Sequence, residues 1–132
     1  AMVGLDGEKM SKSKGNLVLV SRLRADGVDP MAIRLLLLAQ RYDTPWDYTD
    51  DLLEAATARL ATWRAALSVN EAPDSAPVIA AVRDALADNL DTPAALAAVD
   101  AWASAVAADA AGMPHAPGIL ARTLDALLGV RV

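Results

Sequence analysis

Only three lysines occur among the 132 residues, and all three lie between positions 9 and 14. They sit in the stretch Gly7-Glu8-Lys9-Met10-Ser11-Lys12-Ser13-Lys14-Gly15-Asn16. Two ammonium groups three residues apart, with two hydroxyls between flanking glycines, suit a polyphosphate. The ammoniums supply mobile point charges, and the hydroxyls and loop N–H groups donate to phosphate oxygens. In nucleotidyl transfer, charge builds on the α-phosphate and on the departing pyrophosphate. Cations that engage those oxygens best in the transition state accelerate the step. Residue types alone leave a second reading open, a solvated Lys/Ser turn. The stretch lacks the Gly-x-x-x-x-Gly-Lys spacing of a P-loop and the Gly-x-Gly-x-x-Gly spacing of a dinucleotide fingerprint.

The elements around this loop follow from local signals. Val3 to Glu8 reads as a short strand and turn, with Asp6-Gly7 as the turn. Lys9 to Asn16 reads as loop, and Ser21 as the cap of a short helix that stops before Gly27. Asp29-Pro30 is an N-cap followed by Pro in the first turn, opening a helix over about 30–41 that is apolar nearly all round. Residues 42–48 read as a loop broken at Thr44-Pro45. Thr49 caps a longer helix whose stripe is Leu53, Ala56, Leu60, Trp63 and Leu67. Residues 70–76 form a Pro-containing loop. Pro77 then starts a helix carrying Ile79, Val82, Leu86 and Leu90. Thr92-Pro93 opens the next, with Leu96, Val99, Ala103, Val106 and Ala110. Residues 112–118 read as a loop holding His115, before a last helix with Leu120, Leu124, Leu127 and Leu128. Core packing is the expected role of Trp63 and Trp102. Trp46 and Tyr48 face another domain or cap the bundle.

Composition agrees with helices. Hydrophobic residues make up 55%, yet aromatics are 4% and Phe is absent. Alanine alone accounts for 30 positions, and Ala and Leu are the strongest helix formers. The expected fold is therefore mainly all-α. A short N-terminal strand and the lysine loop (1–20) lead to a helical connector (21–48), then to an antiparallel helix bundle (49–132). There is no Cys and one His, which disfavours thiol or histidine catalysis within these residues. No metal site is expected in this chain. No apolar run approaches the roughly 20 residues of a membrane span, and the first residues lack the pattern of an export leader. A cytoplasmic protein without membrane partners is expected. Net charge is −5, divided unevenly: residues 1–24 carry +3 and the remainder −8. Such a balance repels a nucleic-acid backbone outside the loop.

Lys9-Met10-Ser11-Lys12-Ser13 resembles, letter for letter, the KMSKS signature of class I aminoacyl-tRNA synthetases. Asp29-Pro30, Ile33-Arg34 and Leu36-Leu37-Leu38 resemble the helix after that loop in the cysteinyl and methionyl branches. Arg41-Tyr42, Tyr48-Thr49, Leu52-Leu53-Glu54-Ala55 and Asp91-Thr92-Pro93-Ala94-Ala95-Leu96 are similar to the cysteinyl branch. Two members of that branch compete. One is cysteinyl-tRNA synthetase. The other is its paralogue in mycothiol biosynthesis, a ligase joining cysteine to glucosaminyl-inositol. Only 119 residues follow Ser13, short for an added anticodon-reading domain, and the acidic remainder disfavours tRNA as a partner. Both favour the ligase.

The resemblance implies a C-terminal fragment, inactive alone, whose partner is the N-terminal catalytic part of the same protein. That part would carry the Rossmann-type fold, the HIGH motif and a zinc-bound cysteine pocket. ATP is then a substrate accompanied by Mg2+, with L-cysteine and glucosaminyl-inositol as the other ligands. Lys12 is implied as the main stabiliser of the α-phosphate and pyrophosphate, and Lys9 as the second cation. Ser11 and Ser13 order the loop or touch phosphate, and Met10 packs it down. Met2 and Val3 offer backbone groups to adenine. Lys14 is a solvated flank. A non-catalytic helical interaction module is the alternative of a different class.

Overall fold

A computed structural model describes residues 1–108 and 112–132. Asp6 and Gly7 both adopt left-handed backbone, with φ of 53° and 77°. That geometry suits a two-residue hairpin turn, and it folds β1 (Val3–Leu5) back onto β2 (Glu8–Lys9) as an antiparallel pair. A single 3-10 turn, Lys12–Lys14, follows. Two short helices come next, α1 (Val20–Ala25) and α2 (Pro30–Leu38). β3 (Trp46–Asp47) then pairs in parallel with β1, giving the sheet order β2-β1-β3. The chain runs directly from β3 into α3 (Asp50–Leu67). β4 (Glu71–Ala72), α4 (Ala76–Ala87), α5 (Thr92–Ala107), β5 (Met113–Pro114) and α6 (Ala116–Leu128) complete it. The mainly-α architecture expected from composition is what the structure has: six α-helices and small strand pairs among the described residues.

The helices begin where their caps dictate. Asp29 accepts from the Met31 N–H at 2.8 Å and Thr49 from Leu52 at 3.3 Å, each supplying a partner for an N–H that the helix cannot use. α3 packs against α2, α5 and α6, and α4 against α5. One hydrophobic cluster runs through them, built on Leu35, Leu60, Trp63, Leu96, Leu120 and Leu124. Trp63 is fully buried, and its indole N–H donates to Asp100 Oδ1 at 2.8 Å. Trp102 is buried too and donates to the Pro73 carbonyl at 2.9 Å. Both tryptophans thus pack in the core while their one polar atom is satisfied.

Several local expectations are corrected. Val20, not a residue after Ser21, starts α1; its N-cap is Leu19, whose carbonyl accepts from Arg22 and Leu23. α2 stops at Leu38, three residues early. There Arg41 turns aside to ion-pair with Asp43 at 3.2 Å and Asp91 at 3.0 Å. The supposed loops 42–48 and 70–76 each contain a strand, because their partners lie far off in the chain: β1 for β3, β5 for β4. Asp91, rather than Thr92, caps α5 by accepting from the Ala94 N–H at 3.0 Å. Leu90 lies beyond α4, exposed and at φ 51°. The loop over 112–118 ends at His115, and Pro117 sits in the first turn of α6, where a missing N–H costs nothing. Leu127 is exposed while Leu128 takes the buried place. Ala110 lies outside the described residues. Among the described residues, no helix is long and apolar enough to cross a membrane.

Candidate functional site

The lysine loop stands on the small sheet. Gly4 is buried at its centre, and a Cβ there would collide with Asp47 Oδ1. The space is needed because Asp47 crosses over β1, and its Oδ2 accepts from the Gly7 N–H at 2.8 Å. The hairpin is thereby tied to β3. β3 is tied in turn to the bundle: Tyr48 is buried, and its hydroxyl donates to Asp50 at 3.1 Å. Burial first, and then the Asp50 carboxylate, push the Tyr48 phenol above its ordinary pKa. It stays a neutral donor at physiological pH.

Beyond β2 the backbone is pinned residue by residue. The Met10 N–H donates to the Val3 carbonyl at 3.2 Å. The Met10 side chain is half-buried against the core and lines a cavity of about 210 Å³ with Val3, Val18, Ile33, Leu36 and Trp46. The Ser11 N–H donates to Asn16 Oδ1 at 2.9 Å, and Asn16 Nδ2 donates to the Lys9 carbonyl at 3.3 Å. Ser11 Oγ accepts from the Lys14 N–H at 3.3 Å and lies 3.3 Å from Ser13 Oγ. The Gly15 N–H closes the turn on the Lys12 carbonyl at 3.3 Å. Lys14 is exposed, and its Nζ donates to the equally exposed Glu8 Oε2 at 2.8 Å.

Lys9 and Lys12 differ from Lys14. Both are exposed, and among the described residues neither ammonium has an ion-pair or hydrogen-bond partner. Two uncommitted cations therefore stand on one ordered loop with two serine hydroxyls beside them. Ammoniums and hydroxyls are the side-chain groups that pair with the oxygens of a multivalent anion. Among the described residues, no three His, Cys, Asp or Glu side chains cluster to hold a metal.

Each residue singled out from the sequence has a definite place. Lys9, Met10, Ser11, Lys12 and Ser13 share the loop. Val3 lies in the central strand, and its carbonyl serves Met10. Met2 is exposed, and its carbonyl accepts from the Trp46 N–H at 3.1 Å. Trp46 is half-buried beside the cavity under Met10. His115 occupies the N-cap position of α6 without a side-chain capping bond. Sequence reasoning missed Asn16 and Asp47. For Asn16 a signal existed: a short amide just after Gly15 is the type that bonds nearby backbone at a turn. Asp47 carried no local signal, since its partner Gly7 is forty residues upstream.

Residues 1–58 match the sequence model of the tRNA synthetases class I (C) catalytic domain. Over 131 residues the chain is 60% identical to the L-cysteine:1D-myo-inositol 2-amino-2-deoxy-alpha-D-glucopyranoside ligase of Nocardiopsis dassonvillei. The match takes in 99% of this chain and 32% of that protein. The ligase of the same name from Thermobifida fusca is 60% identical over 130 residues, and that from Streptomyces griseus 57% over 129. The chain is thus similar along its whole length to the mycothiol cysteine ligases, as its motifs led us to expect. It spans about 32% of the length of the relatives it matches.

Proposed function

We propose that this chain is the C-terminal part of an ATP-dependent ligase that activates L-cysteine and transfers it to the amine of glucosaminyl-inositol. In the first half-reaction the cysteine carboxylate attacks the α-phosphorus of ATP. Cysteinyl-adenylate forms and pyrophosphate leaves. In the second, the amino-sugar nitrogen attacks the acyl carbon; the amide forms, AMP departs and the amine loses a proton. The lysine loop serves the first half. Lys12 stabilises the charge on the α-phosphate and pyrophosphate, and Lys9 adds the second cation. Ser11 and Ser13 hold the turn and face the phosphates, while Met10 anchors it. Val3 of β1 and its neighbour Met2 offer backbone groups to adenine.

The observation that carries this reading is the pair of uncommitted ammoniums on a loop whose foot is pinned by Val3 and Asn16. The acceptor is taken from the names of relatives similar over the whole chain. On this reading the HIGH motif and a zinc-held cysteine pocket belong to the preceding part of the protein, and Mg2+ accompanies ATP. Residues 1–20 end that catalytic part, 21–48 connect, and 49–132 support it. The chain alone is inactive, and the whole enzyme works in the cytoplasm.

A second reading, transfer of cysteine to tRNA, is favoured by the match of residues 1–58 to a tRNA synthetase family. The −8 balance after residue 24 weighs against it. The test uses the full-length enzyme. Lys12→Ala should slow cysteine-dependent ATP–pyrophosphate exchange at least tenfold, about 1.4 kcal/mol of barrier. Unchanged exchange rejects the loop's role. Offering the activated enzyme both acceptors decides the second half: the amino sugar should take the cysteine, and tRNA should not. An enzyme without nucleotide affinity would instead be a helical interaction module.

A further inference from the structure

We infer that Asn16 is a positioning residue for the lysine loop: its carboxamide clasps the backbone on both sides of Met10 and so fixes where Lys9 and Lys12 present their charge. The inference rests on the adenylation role proposed above. Asn16 Oδ1 accepts from the Ser11 N–H at 2.9 Å, and its Nδ2 donates to the Lys9 carbonyl at 3.3 Å. Between those two points the Met10 N–H is held by the Val3 carbonyl, and the Met10 side chain is packed on the core. Lys9 and Met10 are therefore held on the sheet, and Ser11 is tied to them through Asn16.

The choice of residue follows from the bonds. The clasp needs a donor and an acceptor forked from one short side chain, which only a carboxamide offers. Aspartate keeps the acceptor but loses the donor. Past the clasp, the arc from Lys12 to Gly15 is exposed and held mostly by its own bonds, Lys14 N–H to Ser11 and Gly15 N–H to Lys12. Lys12 is the first residue of that arc, so its position is inherited from the clasp. Loss of the clasp lets the arc sample other placements. Electrostatic stabilisation that was aligned in advance must then be assembled at each turnover. The expected deficit is in rate, not in binding of cysteine, which the loop does not touch in this scheme.

The test is a double-mutant cycle in the full-length enzyme, with Asn16→Ala, Lys12→Ala and the double variant. Asn16→Ala should lower kcat for cysteine-dependent ATP–pyrophosphate exchange about tenfold, with the KM for cysteine within about twofold. Single-turnover transfer from enzyme-bound cysteinyl-adenylate to the amino sugar should keep its wild-type rate, which also reports a folded enzyme. In the Lys12→Ala background, adding Asn16→Ala should cost clearly less than it does alone, about threefold or less, since only Lys9 is left for it to position. If Asn16→Ala loses both half-reactions, Asn16→Asp replaces it with the same expectations. Exchange at the wild-type rate, or losses that multiply in the double variant, overturns the inference and leaves the role of Lys12 intact. Wild-type exchange in Lys12→Ala overturns both.

Discussion

Arg64 Nη1 donates to Asp29 Oδ2 at 2.7 Å, while Asp29 Oδ1 accepts the Met31 N–H at 2.8 Å. One carboxylate thus caps α2 and binds it to α3, beside the apolar contact of the two helices.

That shared carboxylate gives a pH dependence with a definite sign. The Met31 N–H, and then Arg64, hold the Asp29 pKa below its ordinary value in the folded chain. The stabilisation is therefore complete above the unfolded pKa, about 4, and is lost as pH falls through the lower folded value. Asp29→Ala should cost about 1 kcal/mol at pH 7, the usual worth of an N-cap. The gap between the two proteins in urea unfolding should close as the pH is lowered below about 4.

Asp100 is a second shared acceptor. It takes the Trp63 indole N–H at 2.8 Å and the Arg59 guanidinium at 3.1 Å. Asp100→Ala leaves a buried N–H without a partner and should cost about 1–3 kcal/mol. Trp63→Ala removes the largest fully buried side chain and should cost about 3–5 kcal/mol. Denaturant midpoints compare the two, and the tryptophan variant should be the weaker.

Gly129 ends α6 at φ 63°, and a Cβ there would stand 2.6 Å from Arg34 Nη2. Arg34 meanwhile donates to the Leu128 carbonyl. Gly129→Ala should destabilise by about 1–2 kcal/mol from backbone strain alone. Arg34→Ala in the same background should recover part of the loss by clearing the contact. A thermal unfolding series measures both.

Within the loop, the lysines should separate by their partners. Lys14 is committed to Glu8 in an exposed ion pair, a contact worth little. Lys14→Ala should leave ATP–pyrophosphate exchange within about threefold, against a loss of at least tenfold for Lys12→Ala. Equal losses would mean that the loop acts through its total charge rather than through one placed ammonium.

Much of the fold was readable in advance. Asp29-Pro30 and Thr49 announced their helices, and the stripe Ala56, Leu60 and Trp63 is the buried face of α3. Where reading slipped by a residue or two, as at Asp91 for Thr92, two adjacent residues were both able to cap, and geometry chose between them. The five letters from Lys9 to Ser13 marked the loop and its two uncommitted cations, but not what holds it. Asn16, Asp47 and Tyr48 do that, by bonds to Ser11, Gly7 and Asp50.

Distance along the chain separates the two sources. A helix start is settled by hydrogen bonds that close within about four residues, and a hairpin turn by the φ values two residues accept. Neighbouring letters suffice for both. The parallel pairing of β3 with β1, the meeting of β4 with β5, and the bond from Trp63 to Asp100 join residues that adjacency never brings together. Each exists because packing α3 against α2, α5 and α6 buries apolar surface, and the polar partners are those that this packing leaves within reach. The cations of the loop belong to the amino-acid sequence; the fixed point from which they reach belongs to the fold.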